Sequence, residues 1–249
     1  MRIAILSDIH GNNIALQAVL DDINIKGGAD EYWILGDLVA IGHAPIKVLE
    51  MLQPLPNTFF VRGNTDRYIC TGDRPLLTEE HVSTDQSLLD LRLEIEADFS
   101  WTQGAVTVAG WLDWLSGLPL EFRTKLPDGT NVLCVHASPG QDAGSGISLE
   151  TKDHDLETLL AGCQENLICV GHTHRPFSRN LTSRRIINPG SISNPLGSDR
   201  RACYAILEAE AGGYELEFYR VAYDYQAVID ILSRLNHPGR RLITEHLQG

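Results

Sequence analysis

The fold is decided near the start of the chain, where residues 2–25 read RIAILSDIHGNNIALQAVLDDINI. Arg2–Ser7 is an apolar run typical of a buried strand, and Asn13–Ile25 has the apolar spacing of an amphipathic helix. The alternation continues with two predicted strands, Tyr32–Gly36 and Thr58–Arg62, on either side of a predicted helix, Pro45–Leu52. Strands and helices that alternate at this spacing indicate βαβ units and a largely parallel sheet.

The middle of the chain has a different character. From about residue 68 to residue 118 it is rich in Glu, Asp, Leu and Trp, and Ser87–Ala97 and Val108–Leu118 are predicted to be helices. We interpret this stretch as a helical region that flanks or caps the site, with Trp111 and Trp114 packed against the sheet. Its apolar residues between Val106 and Leu118 either pack internally or form a dimer face, so the sequence leaves the oligomeric state open.

Strands resume in the second half of the chain. They are predicted at Asn131–Val135, Leu167–Val170, Arg185–Ile187, Ala202–Glu208 and Tyr214–Val221. The last two are separated by Ala211-Gly212-Gly213 and have the pattern of a hairpin, and a closing helix is predicted from Tyr225 to Leu235. Late antiparallel strands beside an early parallel set indicate two sheets packed face to face. We interpret residues 1–249 as a single domain.

The composition is that of a soluble globular protein, and it disfavours some classes of binding partner. The 249 residues are 43% hydrophobic and carry a net charge of −13, which argues against non-specific binding to nucleic acid or to an anionic membrane. The arginine pairs, Arg200-Arg201 among them, are too short and scattered to predict a basic patch. No run approaches the roughly 18 apolar residues of a membrane span. Five cysteines without a Cys-x-x-Cys pair, together with an amino terminus unlike a signal peptide, predict a cytoplasmic protein with reduced thiols.

Side chains that can bind metal ions follow the predicted strands directly. They occur in five motifs: Asp8-Ile9-His10, Gly36-Asp37, Gly63-Asn64-Thr65-Asp66, Val135-His136 and Gly171-His172-Thr173-His174. Ligands of parallel α/β sheets gather beyond the carboxyl ends of the strands, so these motifs are expected to meet. Carboxylate, amide and imidazole groups without a thiolate suit Mn²⁺, Fe or Zn²⁺ at a catalytic site better than a structural zinc site. The set is large enough to hold two metal ions.

These motifs resemble those of the calcineurin-like metallophosphoesterase superfamily. Within it, the chain is similar to the compact bacterial and archaeal phosphodiesterase branch, which includes some diadenosine tetraphosphate hydrolases. The loop Asn188-Pro189-Gly190-Ser191 and the tail from Tyr223 also follow that branch, so the resemblance covers essentially the whole chain. It implies an α/β fold, a four-layer α/β/β/α sandwich of two mixed sheets with flanking helices and a dinuclear site at one edge.

The resemblance implies two sets of metal ligands that share one carboxylate. The first set is Asp8, His10, Asp37 and His174, and the second is Asp37, Asn64, His136 and His172. It implies two divalent ions, with Mn²⁺ favoured over Fe and Zn²⁺. A water that bridges two such ions loses a proton near neutral pH, and the resulting hydroxide is the expected nucleophile.

Four residues are predicted to act in catalysis: Asp37, Asn64, Thr65 and Asp66. Asp66 is expected to accept the ring N–H of a ligand histidine and thereby orient it. Thr65 stands where most superfamily members have a histidine that assists the leaving group, and a threonine hydroxyl is not a titrating acid near pH 7. Phosphoanhydrides and aryl esters are therefore expected to react better than alkyl esters.

Three residues are predicted to contact substrate: Asn12, Arg67 and His43. Arg67 follows Asp66 and has the chemistry to bind a phosphate with two hydrogen bonds, although a surface salt bridge fits it equally well. His43 is either an ordinary exposed loop residue or the acid that Thr65 does not supply. Arg175, beside the histidine pair, is a weaker candidate for phosphate binding.

The sequence thus predicts a dinuclear metal-dependent phosphoesterase that acts on phosphodiester or phosphoanhydride bonds of a small molecule, plausibly a nucleotide. A protein phosphatase is the main enzymatic alternative, and it requires an open groove. A non-catalytic scaffold that retains the fold is the third interpretation, and Thr65 is its only support because all seven ligand positions are filled.

Overall fold

Ten strands form two five-stranded mixed sheets in the computed structural model, which describes residues 1–74, 85 and 88–248. In chain order they are β1 (Arg2–Leu6), β2 (Glu31–Ile34), β3 (Thr58–Phe60), β4 (Glu121–Lys125), β5 (Asn131–Val135), β6 (Leu167–Cys169), β7 (Phe177–Asn180), β8 (Arg185–Asn188), β9 (Ala202–Glu210) and β10 (Gly213–Val221). The first sheet has the order β10-β9-β1-β2-β3, and the second has the order β4-β5-β6-β8-β7.

Eight helices lie between the strands or after the last of them in the described part of the chain. They are α1 (Asn13–Ile25), α2 (Pro45–Leu52), α3 (Asn64–Thr71), α4 (Leu89–Val108), α5 (Leu112–Ser116), α6 (Asp153–Leu159), α7 (Tyr225–Arg234) and α8 (Arg240–Gln248). Among the described residues, no helix has both the length and the apolar character needed to cross a membrane.

Each sheet has three parallel strands at its centre or along one side. In the first sheet β1 pairs in parallel with β2, which pairs in parallel with β3. In the second sheet β5, β6 and β8 are parallel neighbours, and β4 and β7 pair with them in the antiparallel sense. The predicted hairpin is confirmed, because β9 and β10 pair in the antiparallel sense along their full length.

Alternating side chains divide the interior into layers. On β1, Ile3 and Ile5 belong to the apolar core between the two sheets, whereas Ala4 and Leu6 belong to the core under α1 and α2. The second sheet alternates in the same way, and the residues on its outer face pack against Leu156 of α6. Because side chains alternate across a strand, each sheet is covered on both faces. The four-layer α/β/β/α sandwich is confirmed.

The helical region differs from its prediction. The single helix α4 runs from Leu89 to Val108, across the gap left between the two predicted helices, and α5 is only a short turn of helix. Ser87, where the first helix was predicted to begin, lies outside the described residues. Gly110, with φ of 78°, separates α4 from α5, and such a left-handed glycine commonly ends a helix.

The apolar residues of this region pack internally. Val106, Leu115 and Leu118 are buried in the core that also holds the outer face of the first sheet. Trp114 meets Phe60 of β3 edge to face, with ring centroids 5.1 Å apart. The expectation that the tryptophans pack against the sheet is therefore confirmed for Trp114, and the buried residues favour internal packing over a dimer face.

Sequence patterns missed the two edge strands of the second sheet and the last helix. β4 and β7 each carry only one apolar residue, Phe122 and Phe177, because an edge strand is partly exposed to water, so neither has the apolar pattern of a buried strand. Helix α8 follows Pro238 and buries only Ile243 and Leu247, so its apolar stripe is too sparse to identify in isolation.

Candidate metal centre

The backbone at the candidate site adopts a conformation that side chains ordinarily avoid. Five of the seven predicted ligands have positive φ: Asp8 at 55°, His10 at 48°, Asp37 at 57°, His172 at 65° and His174 at 58°. Residues other than glycine rarely adopt positive φ, and such strain concentrates at functional sites. The loops that carry these side chains are therefore held in place by the surrounding structure.

Hydrogen bonds between loops hold this conformation. The amide of Asp8 donates to Gly36 O at 3.1 Å, and the amide of His10 donates to Asp37 O at 2.9 Å, which join the loops after β1 and β2. The amide of Gly171 donates to His136 O at 2.8 Å and joins the loops of the second sheet. The two sheets are connected through Ser193, whose amide donates to Asp8 O at 3.2 Å.

Four predicted ligands form one compact group, which we call the first ligand group: Asp8, His10, Asp37 and His174. Each offers a ligand atom within 4.8 Å of those of the others. His174 Nε2 lies 3.3 Å from Asp8 Oδ1, and His10 Nε2 lies 3.3 Å from His174 Nε2. His10 Nε2 is 3.7 Å from Asp37 Oδ2.

The remaining three ligands meet on the other side of Asp37, and with it they make the second ligand group: Asp37, Asn64, His136 and His172. Asn64 Oδ1 lies 3.1 Å from His136 Nε2 and 2.9 Å from His172 Nδ1. His136 Nε2 is 3.4 Å from Asp37 Oδ2. The same carboxylate oxygen of Asp37 therefore faces both ligand groups.

Each of the four histidines is oriented by a backbone carbonyl. The Nδ1 atoms of three of them donate to carbonyls, His10 to Ala40 O at 3.0 Å, His136 to Leu35 O at 2.6 Å and His174 to Asn194 O at 2.8 Å. His172 is turned the other way, and its Nε2 donates to Gly144 O at 2.8 Å. Because a carbonyl only accepts, each ring's remaining nitrogen faces the ligand groups, as metal-binding histidines require.

The buried carboxylate of Asp8 fits a bound cation. Asp8 is 0% exposed, and neither of its oxygens has a hydrogen-bond partner among the described residues. Such a carboxylate needs a positive charge beside it, which protonated His174, 3.3 Å away, supplies in the metal-free protein and which a metal ion would supply when bound. The donor set and this orphaned carboxylate together fit divalent metal ions.

The protonation of the histidines in the metal-free protein also fits a metal-binding site. Burial alone would lower the pKa of His136, but the adjacent Asp37 carboxylate outweighs burial and raises that pKa to about 10. In His174, likewise, Asp8 outweighs burial and raises the pKa. Protons on these two rings thus balance the carboxylates in the free protein. A metal ion must displace them, so metal affinity falls as the pH is lowered.

Asp66 has different partners from those predicted. Its carboxylate accepts the backbone N–H groups of Asp37 at 2.9 Å, Leu38 at 2.8 Å and Gly63 at 3.0 Å, and no ring N–H from the residues that the structure describes. The histidine ring N–H groups are already donated to carbonyls, so none remains for Asp66. Asp66 therefore fixes the backbone turn of Asp37 rather than a histidine ring.

Thr65 holds the bridging carboxylate through its backbone. The Thr65 amide donates to Asp37 Oδ1 at 2.9 Å, which leaves Asp37 Oδ2 for the two ligand groups. The Thr65 side chain is 4% exposed, and its hydroxyl has no partner in the described structure.

The residues predicted to contact substrate are bound to other groups of the protein. Asn12 is 2% exposed; its carbonyl oxygen caps α1 at the Ala15 amide, and its NH₂ group donates to Ser193 Oγ at 3.3 Å. The Arg67 guanidinium donates to Asp142 and Asp73, so the salt-bridge interpretation fits it better than a phosphate clamp. Arg175 is paired with Glu150.

His43 is buried, which contradicts the interpretation of it as an ordinary exposed loop residue. It is 5% exposed, and neither ring nitrogen has a partner within the described residues. Burial lowers the pKa of His43 to about 4, so the ring is neutral at pH 7 and holds no acidic proton to transfer.

Asp98 of α4 lies behind the loop that carries His43. Its ionisation predicts a pH dependence of the free energy of unfolding. It is 4% exposed and accepts the Ile41 amide, and burial raises its pKa from 3.8 to about 7. The folded state therefore binds this proton more tightly than the unfolded chain, so its stabilising effect is complete below pH 4 and is lost as the pH rises toward 7.

We expect Asp98→Asn to raise the free energy of unfolding by about 2 kcal/mol more at pH 8 than at pH 5. Asparagine keeps an acceptor for the Ile41 amide but carries no charge. Urea unfolding of the metal-free proteins at both pH values measures this difference. Asp90→Asn, at the exposed start of the same helix, is the control. It should change the free energy of unfolding equally at both pH values. An equal change at both pH values in D98N would contradict the raised pKa.

Oxygen and nitrogen ligands at the carboxyl edge of two packed mixed sheets define a metal-dependent phosphoesterase. The chain belongs to the calcineurin-like phosphoesterase superfamily, whose domain matches residues 1–212. It is accordingly a hydrolase of phosphoric esters, and the resemblance seen in the sequence motifs is confirmed.

Similarity to known proteins extends over most of the chain. An uncharacterized protein of Methanocaldococcus jannaschii, MJ0912, is 29% identical, and the match covers 96% of both chains. The symmetrical bis(5'-nucleosyl)-tetraphosphatase of Psychromonas ingrahamii is 26% identical over 86% of this chain and 69% of its own. The crystal structure of a metallophosphoesterase from Sphaerobacter thermophilus is 27% identical with a TM-score of 0.76, covering 100% of this chain and 98% of that one.

Proposed function

We propose that the protein is a dinuclear metal-dependent phosphohydrolase that cleaves phosphodiester or phosphoanhydride bonds of a small nucleotide. The observation that carries this proposal is the position of Asp37 Oδ2, 3.7 Å from His10 Nε2 and 3.4 Å from His136 Nε2. A single carboxylate oxygen between two groups of ligands supports a shared ligand for two ions. All seven predicted ligands belong to one or other group.

The two ligand groups would hold two divalent ions, which would supply Lewis acidity and lower the pKa of a bound water. The protein's own residues hold that arrangement. Asp66 fixes the backbone of Asp37, Thr65 fixes one carboxylate oxygen, and four carbonyls fix the histidine rings. Oxygen and imidazole donors without a thiolate suit Mn²⁺, Fe and Zn²⁺ alike, and we favour Mn²⁺ because the resemblance of the motifs implies it.

A small nucleotide is supported by two observations. Relatives are named as symmetrical bis(5'-nucleosyl)-tetraphosphatases, and the net charge of −13 disfavours long nucleic acids. Thr65 in place of a histidine supports substrates with good leaving groups, because no titrating acid follows Asn64. We also propose that the whole chain is one domain and works in the cytoplasm, as the five free cysteines suggest.

The test is turnover of metal-stripped protein refilled with Mn²⁺, Fe²⁺ or Zn²⁺. Substrates are bis-p-nitrophenyl phosphate, p-nitrophenyl phosphate, diadenosine tetraphosphate and a phosphoserine peptide. We expect metal-dependent cleavage of the diester and the dinucleotide, with a bound metal content of two. Preferential cleavage of the peptide would favour a protein phosphatase. Two bound ions with none of the four substrates cleaved would favour a non-catalytic scaffold.

A further inference from the structure

One buried carboxylate joins the two sheets beside the second ligand group. Asp142 lies in the loop of residues 136–147, which follows β5, and it is 5% exposed. Its Oδ2 atom accepts from Arg62 Nε at 2.9 Å and from Arg67 Nε at 3.0 Å. These two arginines belong to the segment of residues 61–67, which leads from β3 into α3. A single oxygen atom thus holds a loop of the second sheet against a segment of the first.

The two arginines flank a ligand of the second group. Arg62 precedes Asn64 by two residues, and Arg67 follows it by three, which is about one turn of α3. Asn64 Oδ1 in turn lies 2.9 Å from His172 Nδ1. The Asp142 bridge therefore holds the chain on both sides of the residue whose amide oxygen belongs to the second ligand group.

The loop that carries Asp142 packs against another ligand of that group. Gly144 O accepts from His172 Nε2 at 2.8 Å. Gly146 lies so near the same ring that a Cβ atom there would be 2.8 Å from His172 Cδ2. The loop also begins at the ligand His136. A displacement of this loop would therefore change the orientation of the His172 ring.

The first ligand group is held by other contacts. The start of α3 is bound to Asp37 independently of the bridge, because the Asp66 carboxylate accepts the Asp37 amide. His174 is oriented by Asn194 O, which lies in another loop. Loss of the bridge is therefore expected to release the loop of residues 136–147 and to leave the first ligand group in place.

We propose that Asp142 is a positioning residue for the second ligand group, and that it sets the distance between Asn64 and His172 so that both bind one metal ion. This inference rests on the proposed function, which requires an ion at that group. Charge-assisted hydrogen bonds from two guanidinium groups to one buried carboxylate are strong and geometrically specific. Contacts that orient ligands without touching the ion commonly change metal affinity by about 10–100-fold.

The test is the affinity of the metal-free protein for each of two Mn²⁺ ions. Calorimetry gives the two affinities, and anomalous scattering from crystals soaked in Mn²⁺ shows which ligand group holds each ion. Asp142→Leu keeps the branched shape of the side chain and removes both acceptors. We expect it to weaken binding of the ion at the second ligand group by about 10–100-fold. The ion at the first ligand group should bind as in the wild type.

Asp142→Asn is the conservative variant, because its amide oxygen can replace Oδ2 between the two arginines. It should restore the affinity for the ion at the second ligand group to within about threefold of the wild type. A residue that only stabilised the fold would not discriminate between the two ions. Arg62→Met breaks the bridge from its other side and should reproduce the selective loss, so it decides the question if Asp142→Leu does not fold.

Asp199→Leu is the matched control. Asp199 also accepts from two arginines, Arg201 and Arg220, but it lies beside β9 and β10, which carry no predicted ligand. This variant should leave both Mn²⁺ affinities unchanged. Equal weakening of both ions in D142L, or no weakening of either, would overturn the inference. A selective loss of the second ion in D199L would overturn it as well.

The failure of the proposed function would give a different result. Two ions bound without hydrolysis of any phosphoester, or a single ion bound by the wild type, would refute the dinuclear phosphohydrolase. The role of Asp142 would still be supported if an ion lay at the second ligand group and were weakened by D142L but not by D199L. It would be refuted if the second ligand group of the wild type stayed empty.

Discussion

Replacing Asp37 with asparagine is expected to reduce the bound metal from two ions to one or none and to lower diester turnover by about a thousandfold or more. Asp37 Oδ2 faces His10 on one side and His136 on the other, so one substitution removes a negative charge from both ligand groups. The amide that replaces it has one oxygen instead of two. That oxygen cannot both accept the Thr65 amide and face both groups.

The measurement is the metal content of the purified protein after saturation with Mn²⁺, together with turnover of bis-p-nitrophenyl phosphate. Asp98→Asn is the control, since it changes another buried aspartate to asparagine outside the two ligand groups. It should keep both ions and normal turnover. Two retained ions with normal turnover in Asp37→Asn would refute the assignment of Asp37 as a shared ligand.

The positions of the candidate ligands could be predicted because they follow from strand order. Asp8, Asp37 and Asn64 come after the three parallel strands of the first sheet, and His136 and His172 follow strands of the second. The apolar period of two and the alternation of strands with helices are strong local signals. These signals alone predict that the candidate ligands lie at one edge of the sheets.

The way in which the site is held together could not be predicted from side-chain types. The histidine rings are oriented by the carbonyls of Leu35, Ala40, Gly144 and Asn194, and a backbone carbonyl is present in every residue. The sequence therefore carried no signal for these contacts. Asp66 was predicted to lie close to the site, but its partners are backbone amides, which likewise leave no trace in the residue pattern.

The residues that contact substrate could not be predicted from the sequence for a different reason. Asn12, Arg67 and His43 stand close to the ligands in sequence, but their side chains have structural partners or are buried. Sequence proximity to a motif is a weak guide to substrate contact, because tertiary packing decides which side chains stay free.

Glycine at position 63 illustrates how closely the loops must approach, and its replacement should have the second large effect. A Cβ atom at Gly63 would lie 2.1 Å from Asp37 Oδ1 and 2.2 Å from Asp37 N. The φ of Gly63 is −85°, which any residue adopts, so the obstacle is purely steric. Because the atoms that would be struck include the backbone of Asp37, no rotation of a flexible side chain relieves the clash.

We expect Gly63→Ala to lower the free energy of unfolding by about 3 kcal/mol and to abolish binding of at least one metal ion. Gly104→Ala is the matched control, since Gly104 lies inside α4 and a Cβ there meets nothing within 4 Å. It should stabilise the protein by about 0.5–1 kcal/mol, as alanine does in a helix interior. Urea unfolding and metal content measure both variants. Normal stability and metal content in G63A would mean that the loops after β2 and β3 can move apart without loss of stability or of bound metal. The close approach of Gly63 to Asp37 would then not be needed to hold the carboxylate that two ions would share.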